Sequence, residues 1–324
     1  MKAIRYYRYG SPDVLELRDV DLPAVNDDEV LVRVRAASVN PLDFHFMRGT
    51  PYVVRAQAGL SRPKVHGLGA DMAGQVEAVG RNVTGFQPGD EVFGARLGGM
   101  FAEYASVRQD AAILPKPANL TFEQAAAVPV AALTALQALR DKGRIQPGHK
   151  VLVNGAAGGV VAFAVQLAKA FGAEVTGVCG TGNVELVRSI GADEVVDYTR
   201  EDFTRTGRRY DLLIDVAGSK SLADSRRVLN PKGVLVGVGG PLKGRWIRPL
   251  MRPVAMLVLS PVVSQRMVPL LASQSRDDLA VLSELLDAGK VTPVIDRTYP
   301  LPDVPEAIRY LEEGHARGKV VITV

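Results

Sequence analysis

Cysteine is nearly absent. Cys179 is the only one in 324 residues, which excludes a disulfide framework within the chain and any zinc site built from several cysteines. Long apolar runs are missing too. The start, Met1-Lys2-Ala3-Ile4-Arg5-Tyr6, lacks the apolar core of a secretory signal and opens directly in strand-like alternation. The most apolar later run, Pro253 to Val263, is too short and too broken by proline to span a bilayer. It reads as a helix that caps a pocket or an interface, with peripheral membrane contact the less favoured reading. A strong charge of one sign is also lacking: the net +4 is spread along the chain, and clusters such as Arg208-Arg209 are short and interrupted by acids. No nucleic-acid groove follows from that pattern. What remains is an ordinary globular balance, 47% hydrophobic and 23% charged, in a chain comfortable for two domains and compatible with a reducing cytoplasm.

The most informative stretch runs from Val151 to Ala168: three apolar strand residues, a turn carrying Gly155, Gly158 and Gly159, then an apolar helix. Glycines there free the backbone for a tight turn and keep side chains away from a guest. Amides at a helix start point outward with the positive end of the dipole, so the natural guest is a phosphate. The segment Glu174 to Cys179 supplies a second strand at the distance expected of a dinucleotide-binding strand–helix–strand unit. Val161 stands where that pattern usually ends in a small residue.

Up to about Pro117 the signals are β, with alternation in Glu29–Ala36 and Gly74–Gly80 and a Pro88-Gly89-Asp90 turn before Glu91–Gly94, suggesting a compact barrel. At Thr121 the character changes: Thr121-Phe122-Glu123-Gln124 is a capping box opening an alanine-rich helix that ends near Leu139. Strands at 194–198, 210–216 and 233–239 then alternate with helices, which implies a doubly wound parallel sheet with its ligand at the carboxyl ends of the strands. A helix over 277–288 and strands over 290–296 and 318–324 are expected to rejoin the first domain.

Six blocks in order carry a family resemblance: Ala37-Ser38-Val39-Asn40-Pro41-Leu42-Asp43, Gly69-Ala70-Asp71-Met72-Ala73-Gly74, Gly99-Met100-Phe101-Ala102-Glu103-Tyr104, the glycine turn, Gly191-Ala192-Asp193, and Gly314-His315-Ala316-Arg317-Gly318-Lys319. Together they resemble the medium-chain dehydrogenase/reductase superfamily in its zinc-independent quinone oxidoreductase-like branch. The resemblance implies an α/β fold: a GroES-like β-barrel catalytic domain (1–120 and 276–324) plus a doubly wound parallel-sheet Rossmann domain (121–275), with the active site in the cleft between them. Zinc-dependent relatives carry a cysteine ligand where this chain has Asn40 and Gly-His-Glu where it has Gly69-Ala70-Asp71, so no metal is expected. The histidines His45, His66, His149 and His315 show no ligand spacing and read as local or surface residues.

Without a metal to polarise a carbonyl, hydride transfer to a quinone or an α,β-unsaturated carbonyl compound is the better expectation. The alternatives are a zinc-free alcohol dehydrogenase and a cofactor-binding sensor or scaffold. No acid follows Cys179 before Glu185, so an NADP(H) site is favoured over an NAD site. Cofactor contacts are expected from Gly155, Ala157, Gly158, Gly159 and Val160 of the turn. By resemblance, Tyr198 reaches the 2′-phosphate at the adenosine end, with Thr181 or Asn183 standing in for the hydroxyl the family often has at Gly180. By resemblance, Thr134, Val238, Gly239, His315 and Arg317 join them. Asn40, with Tyr52 or a cofactor hydroxyl, is the expected donor to the carbonyl oxygen as charge develops there. Asp71 reads as structural. By resemblance, a homodimer through paired edge strands is an option that a strand at Val234–Val238 would fit, and a monomer fits the sequence as well.

Overall fold

In the computed structural model, which describes residues 1–239 and 248–324 and all of their side chains except 248–250, the alternating N-terminal segments become antiparallel strands. β1 (Lys2–Arg5) pairs with β2 (Glu16–Asp19), and β3 (Glu29–Val39) forms the long centre of the main barrel sheet. Asn40 precedes α1 (Pro41–Arg48), with proline at the first helical position where a missing N–H does no harm. A short α2 (Val54–Ala58) follows, then β4 (Asp71–Val79), β5 (Glu91–Ala95), β6 (Tyr104–Arg108) and β7 (Ala112–Pro115). Every second residue of these strands faces inward, and Val30, Val32, Val34, Met72, Val76, Val92 and Ile113 fill the interior.

The capping box forms as read: Gln124 N–H donates to Thr121 Oγ1 at 3.2 Å and Thr121 N–H to Gln124 Oε1 at 3.0 Å. The alanine-rich stretch, expected as one helix, is two, α3 (Phe122–Ala126) and α4 (Pro129–Gln137), because Pro129 has no N–H to continue the first. The parallel sheet follows with β8 (Lys150–Asn154), α5 (Gly159–Ala170), β9 (Glu174–Cys179), α6 (Val184–Ser189), β10 (Glu194–Asp197), β11 (Tyr210–Asp215), α7 (Leu222–Arg227), β12 (Leu229–Val238), α8 (Arg248–Leu259) and β13 (Arg266–Leu270). All pairings are parallel, in the order β10-β9-β8-β11-β12-β13. The order reverses between β8 and β11, the position at which such sheets bind ligands. Strand β13 escapes a reading from sequence because Pro269 sits inside it; an edge strand tolerates that proline, and its pairing makes Val234–Val238 of β12 an interior strand and not the edge expected. The apolar run of the 250s is helix α8, which turns Met256 inward and leaves Met251, Val254, Leu257 and Val258 exposed. Among the described residues no helix is long and apolar enough to cross a membrane.

The tail contributes α9 (Arg276–Asp287), β14 (Ile295–Pro300), α10 (Val304–Glu313) and β15 (Lys319–Thr323). The strand expected over 290–296 begins only at Ile295. Pro293 cannot donate to a ladder, and the Thr292 backbone is already paired with the Gln166 side chain at 2.8 and 3.0 Å. The barrel sheet runs β14-β15-β3-β4-β5-β7, with β6 also on β3. The chain divides into two compact units, residues 1–133, 274–288 and 293–324 forming one and 134–273 with 289–292 the other. Helix α3 belongs with the barrel, against β3 and β4, so the change of character at Thr121 marks a helix start and not a domain boundary. Thr121→Ala should lower stability by about 1 kcal/mol in urea denaturation, because the Gln124 N–H loses its side-chain acceptor.

Candidate functional site

In the parallel-sheet unit the chain leaves β8 at Asn154 and turns through Gly155, which has φ of +97°, a left-handed value that strains any side chain. The N–H groups of Gly155 and Ala156 both donate to Val178 O, at 3.0 and 2.9 Å, which straps the turn to β9. Gly158 caps the twelve-residue α5 without any side-chain bond, leaving the helix start to outside acceptors. A Cβ added at Gly158 would meet Val161 Cγ2 at 3.4 Å, an ordinary van der Waals contact. The turn is fixed from the other side by Asp215, at the end of β11. That buried carboxylate accepts from Asn154 Nδ2 at 2.8 Å and from Gly218 N–H at 2.9 Å, and it is paired with Arg252 of α8.

At the end of β9, Asn183 Oδ1 is the one buried side-chain polar atom without a partner among the described residues. It is an acceptor awaiting a donor, and a nucleoside has hydroxyl and amino groups to offer. Cradle, uncapped helix start and orphaned acceptor together fit a dinucleotide. Tyr198 is exposed, and its Oη lies 3.1 Å from where a Cβ would stand on Gly180, so the glycine leaves the phenol its space. Thr181 is less free than its sequence position implies: its hydroxyl donates to Asp197 Oδ2 at 2.6 Å. Asp197, held below the usual carboxylate range by the Thr181 bond and its further donors, ends β10 beside this site. This acid does not follow β9 in the sequence; it arrives from the neighbouring strand.

The remaining residues divide between the units. Thr134 and Val238 are buried in the parallel-sheet unit, and Gly239 follows β12 with φ of +89° and open space among the described residues where a Cβ would stand. The barrel unit carries Asn40, Tyr52, His315 and Arg317. His315 and Arg317 are exposed, and the Arg317 N–H donates to Asp296. Tyr52 lies under the Arg55 guanidinium, 4.8 Å from it.

Asn40 is buried, and its expected role as a free donor meets a geometric obstacle. Its amide N–H groups go to Asp71 Oδ2 at 2.8 Å and Ser38 O at 3.3 Å, and its Oδ1 accepts from Lys319 Nζ at 2.6 Å. Asp71 is the hub. It accepts from Ser38 Oγ (2.7 Å), Asn40 and the Val130 N–H (2.8 Å), and Lys319 Nζ lies at 3.5 Å. Burial pushes the Lys319 ammonium below its ordinary range, against the pull of Asp71 and Asp43. Asp43 accepts from the Asn40 and Gly69 N–H groups at 2.8 and 3.0 Å, yet burial raises its pKa to about 7. Both Asp43 and Lys319 stood inside sequence blocks already singled out; the signal for Asp43 is its place three residues after the Asn40 cap. His45 Nδ1 meets Thr50 O at 2.8 Å, and His149 Nδ1 accepts from Gln146 N–H. No group of three metal-ligating side chains occurs among the described residues.

A barrel carrying a buried charge hub, joined in one chain to a parallel sheet with a dinucleotide turn, defines a two-domain nucleotide-dependent enzyme. Residues 26–118 match the alcohol dehydrogenase GroES-like domain model and residues 190–322 the zinc-binding dehydrogenase model. The chain is 36% identical to the 2-methylene-furan-3-one reductase of Solanum lycopersicum, over 99% of its own length and 79% of that protein. Among solved structures it resembles an NAD-dependent alcohol dehydrogenase, with TM-score 0.86, 31% identity and full coverage of both chains. It also resembles the Escherichia coli quinone oxidoreductase complexed with NADPH, with TM-score 0.83, 26% identity and full coverage of both chains. The chain belongs to the medium-chain dehydrogenase/reductase superfamily and is an oxidoreductase with a nicotinamide cofactor.

Two measurements check the hub. Lys319→Met leaves a carboxylate buried without its cation and should cost about 3–5 kcal/mol in denaturant unfolding, while Lys319→Met/Asp71→Leu should cost less than the sum of the single changes. Asp43 binds its proton more tightly folded than unfolded, so its contribution to stability is full below the unfolded pKa and is lost as pH rises through about 7. The stability advantage of wild type over Asp43→Asn should therefore shrink between pH 5 and pH 8.

Proposed function

We propose that this oxidoreductase reduces quinones or α,β-unsaturated carbonyl compounds with NADPH and without zinc. The observation that carries the reading is the hub. Where zinc-dependent relatives hold metal, Asn40 and Asp71 have their polar atoms engaged by Lys319, Ser38 and Val130, and Ala70 offers no ligand at all. A cation is already present there, so acceptors that need no Lewis acid suit the site best. The names of the tomato and E. coli relatives point the same way.

In this reading the amides of Gly155 to Val160 and the start of α5 hold the diphosphate, while Tyr198 and Asn183 meet the adenosine end. Bound nicotinamide supplies the hydride. The chain's part is to orient both reactants and to place an N–H or O–H donor where charge grows on the carbonyl oxygen, with solvent returning the proton. Asn40 holds the hub, and the donor has to come from elsewhere.

NADPH is favoured because no acid closes β9 and the Tyr198 phenol stands exposed beside Gly180. Asp197 opposes it, since its charge stands close to where a 2′-phosphate would lie. Paired titrations should show wild type binding NADPH at least as well as NADH, and Asp197→Asn should tighten NADPH severalfold while leaving NADH unchanged. An unaltered ratio would remove the 2′-phosphate from this end of the sheet. Gly155→Val should abolish binding of both. Cofactor oxidation is expected with quinones and enones and not with saturated ketones. Reversible turnover of simple alcohols would favour the second reading, a zinc-free alcohol dehydrogenase, which the likeness to the NAD-dependent enzyme supports.

A further inference from the structure

Within the barrel unit lies a cavity of about 130 Å³, walled by Tyr6, Leu42, Asp43 and Phe46 and opening past Val65 and Leu97. These two residues are 60% and 51% exposed, so the cavity opens to solvent. A cavity of about 150 Å³ with apolar walls takes benzene, so this one is on the scale of a single six-membered ring and too small for two.

Three polar side chains break the apolar wall, Tyr6, Asp43 and the solvent-exposed Gln57; the first two are the buried ones. Tyr6 is buried as a residue, at 2% relative exposure, but its hydroxyl is not among the fully buried polar atoms: it makes no hydrogen bond among the described residues, and the residue lines the cavity. Its backbone is fixed by a 3.0 Å bond from Tyr6 N–H to His66 O, and its ring packs with Phe44, Leu68 and Phe101. A phenol held this firmly at the cavity wall, with no protein partner, offers an O–H donor to a guest that carries an acceptor. Burial raises its pKa, which keeps the proton on the oxygen. The second group, Asp43, has both carboxyl oxygens engaged by backbone N–H groups. Once ionised it disfavours an anion in the same cavity, so the fitting guest is neutral.

We propose that this cavity binds the ring of a monocyclic quinone or cyclic enone, with the carbonyl oxygen accepting from the Tyr6 hydroxyl. The assignment rests on the reductase reading and narrows its substrate class to single-ring neutral acceptors. It supplies the donor that Asn40 cannot spare.

The test is direct binding without cofactor, by calorimetry or ligand-observed NMR, with 2-cyclohexen-1-one and benzene as probes. Wild type should bind both. Tyr6→Phe should weaken the enone about five- to tenfold, the range of one neutral hydrogen bond, and leave benzene unchanged. Ala58→Phe, which places a ring against the cavity wall, should abolish binding of both. An equal effect of Tyr6→Phe on the two probes, or binding that survives Ala58→Phe, would overturn the proposal. Turnover of cyclohexenone with NADPH is read separately. Turnover indifferent to both variants removes the cavity and keeps the reductase; Tyr6-dependent binding with no turnover on any enone or quinone keeps the cavity and removes the reductase.

Discussion

The ion pair of Lys319 and Asp71 is the constraint on which the barrel depends. Both groups are almost wholly removed from water, and neither is tolerable there alone. Their partners come from β3, from β4, from β15, from the start of α4 and from the residue that caps α1, so the pair fixes where five elements meet. Such a pair contributes little net stability by itself. Its effect is on uniqueness: any other register of β15 on β3 would strand a charge, since a slip by one residue turns Lys319 to the opposite face.

The parallel-sheet unit repeats the device with different residues. Asp215, at the end of β11, is buried and satisfied by Asn154, by the Gly218 amide and by Arg252. Its bond to Asn154 holds the ends of β8 and β11 together where the strand order reverses, and the glycine turn starts from that point. Each unit thus places a buried carboxylate behind its functional surface. What lies in front of each is sparse: uncapped amides and an orphaned acceptor in one unit, a phenol without a protein partner lining a small cavity in the other.

Much of this was legible in the sequence where local chemistry and burial agree. Val151–Val153, the glycines after it and the Ala/Val/Leu run could only be a covered strand, a turn and a packed helix, and Thr121-x-x-Gln124 declared a helix start. Legibility failed where a side chain's meaning is set by a distant partner. Asn40 looked like a free donor because Lys319, far away in the chain, occupies its oxygen. Thr181 looked available because Asp197 arrives from the next strand. Tyr6 reads as one alternating residue of β1's continuation, and only the fold shows that nothing answers its hydroxyl. The prolines misled in both directions: Pro269 hid an edge strand, and Pro293 sat within a predicted strand that the Gln166 side chain displaces.

The claim that the barrel's charge comes from an ammonium and not from a metal is tested most directly by chelation. Purified protein would be treated exhaustively with a zinc chelator, its metal content measured, and reduction of cyclic enones and quinones by NADPH followed before and after. Under the proposed function the rate is unchanged with no zinc in the chain. Loss of activity on chelation with recovery on adding zinc would contradict it.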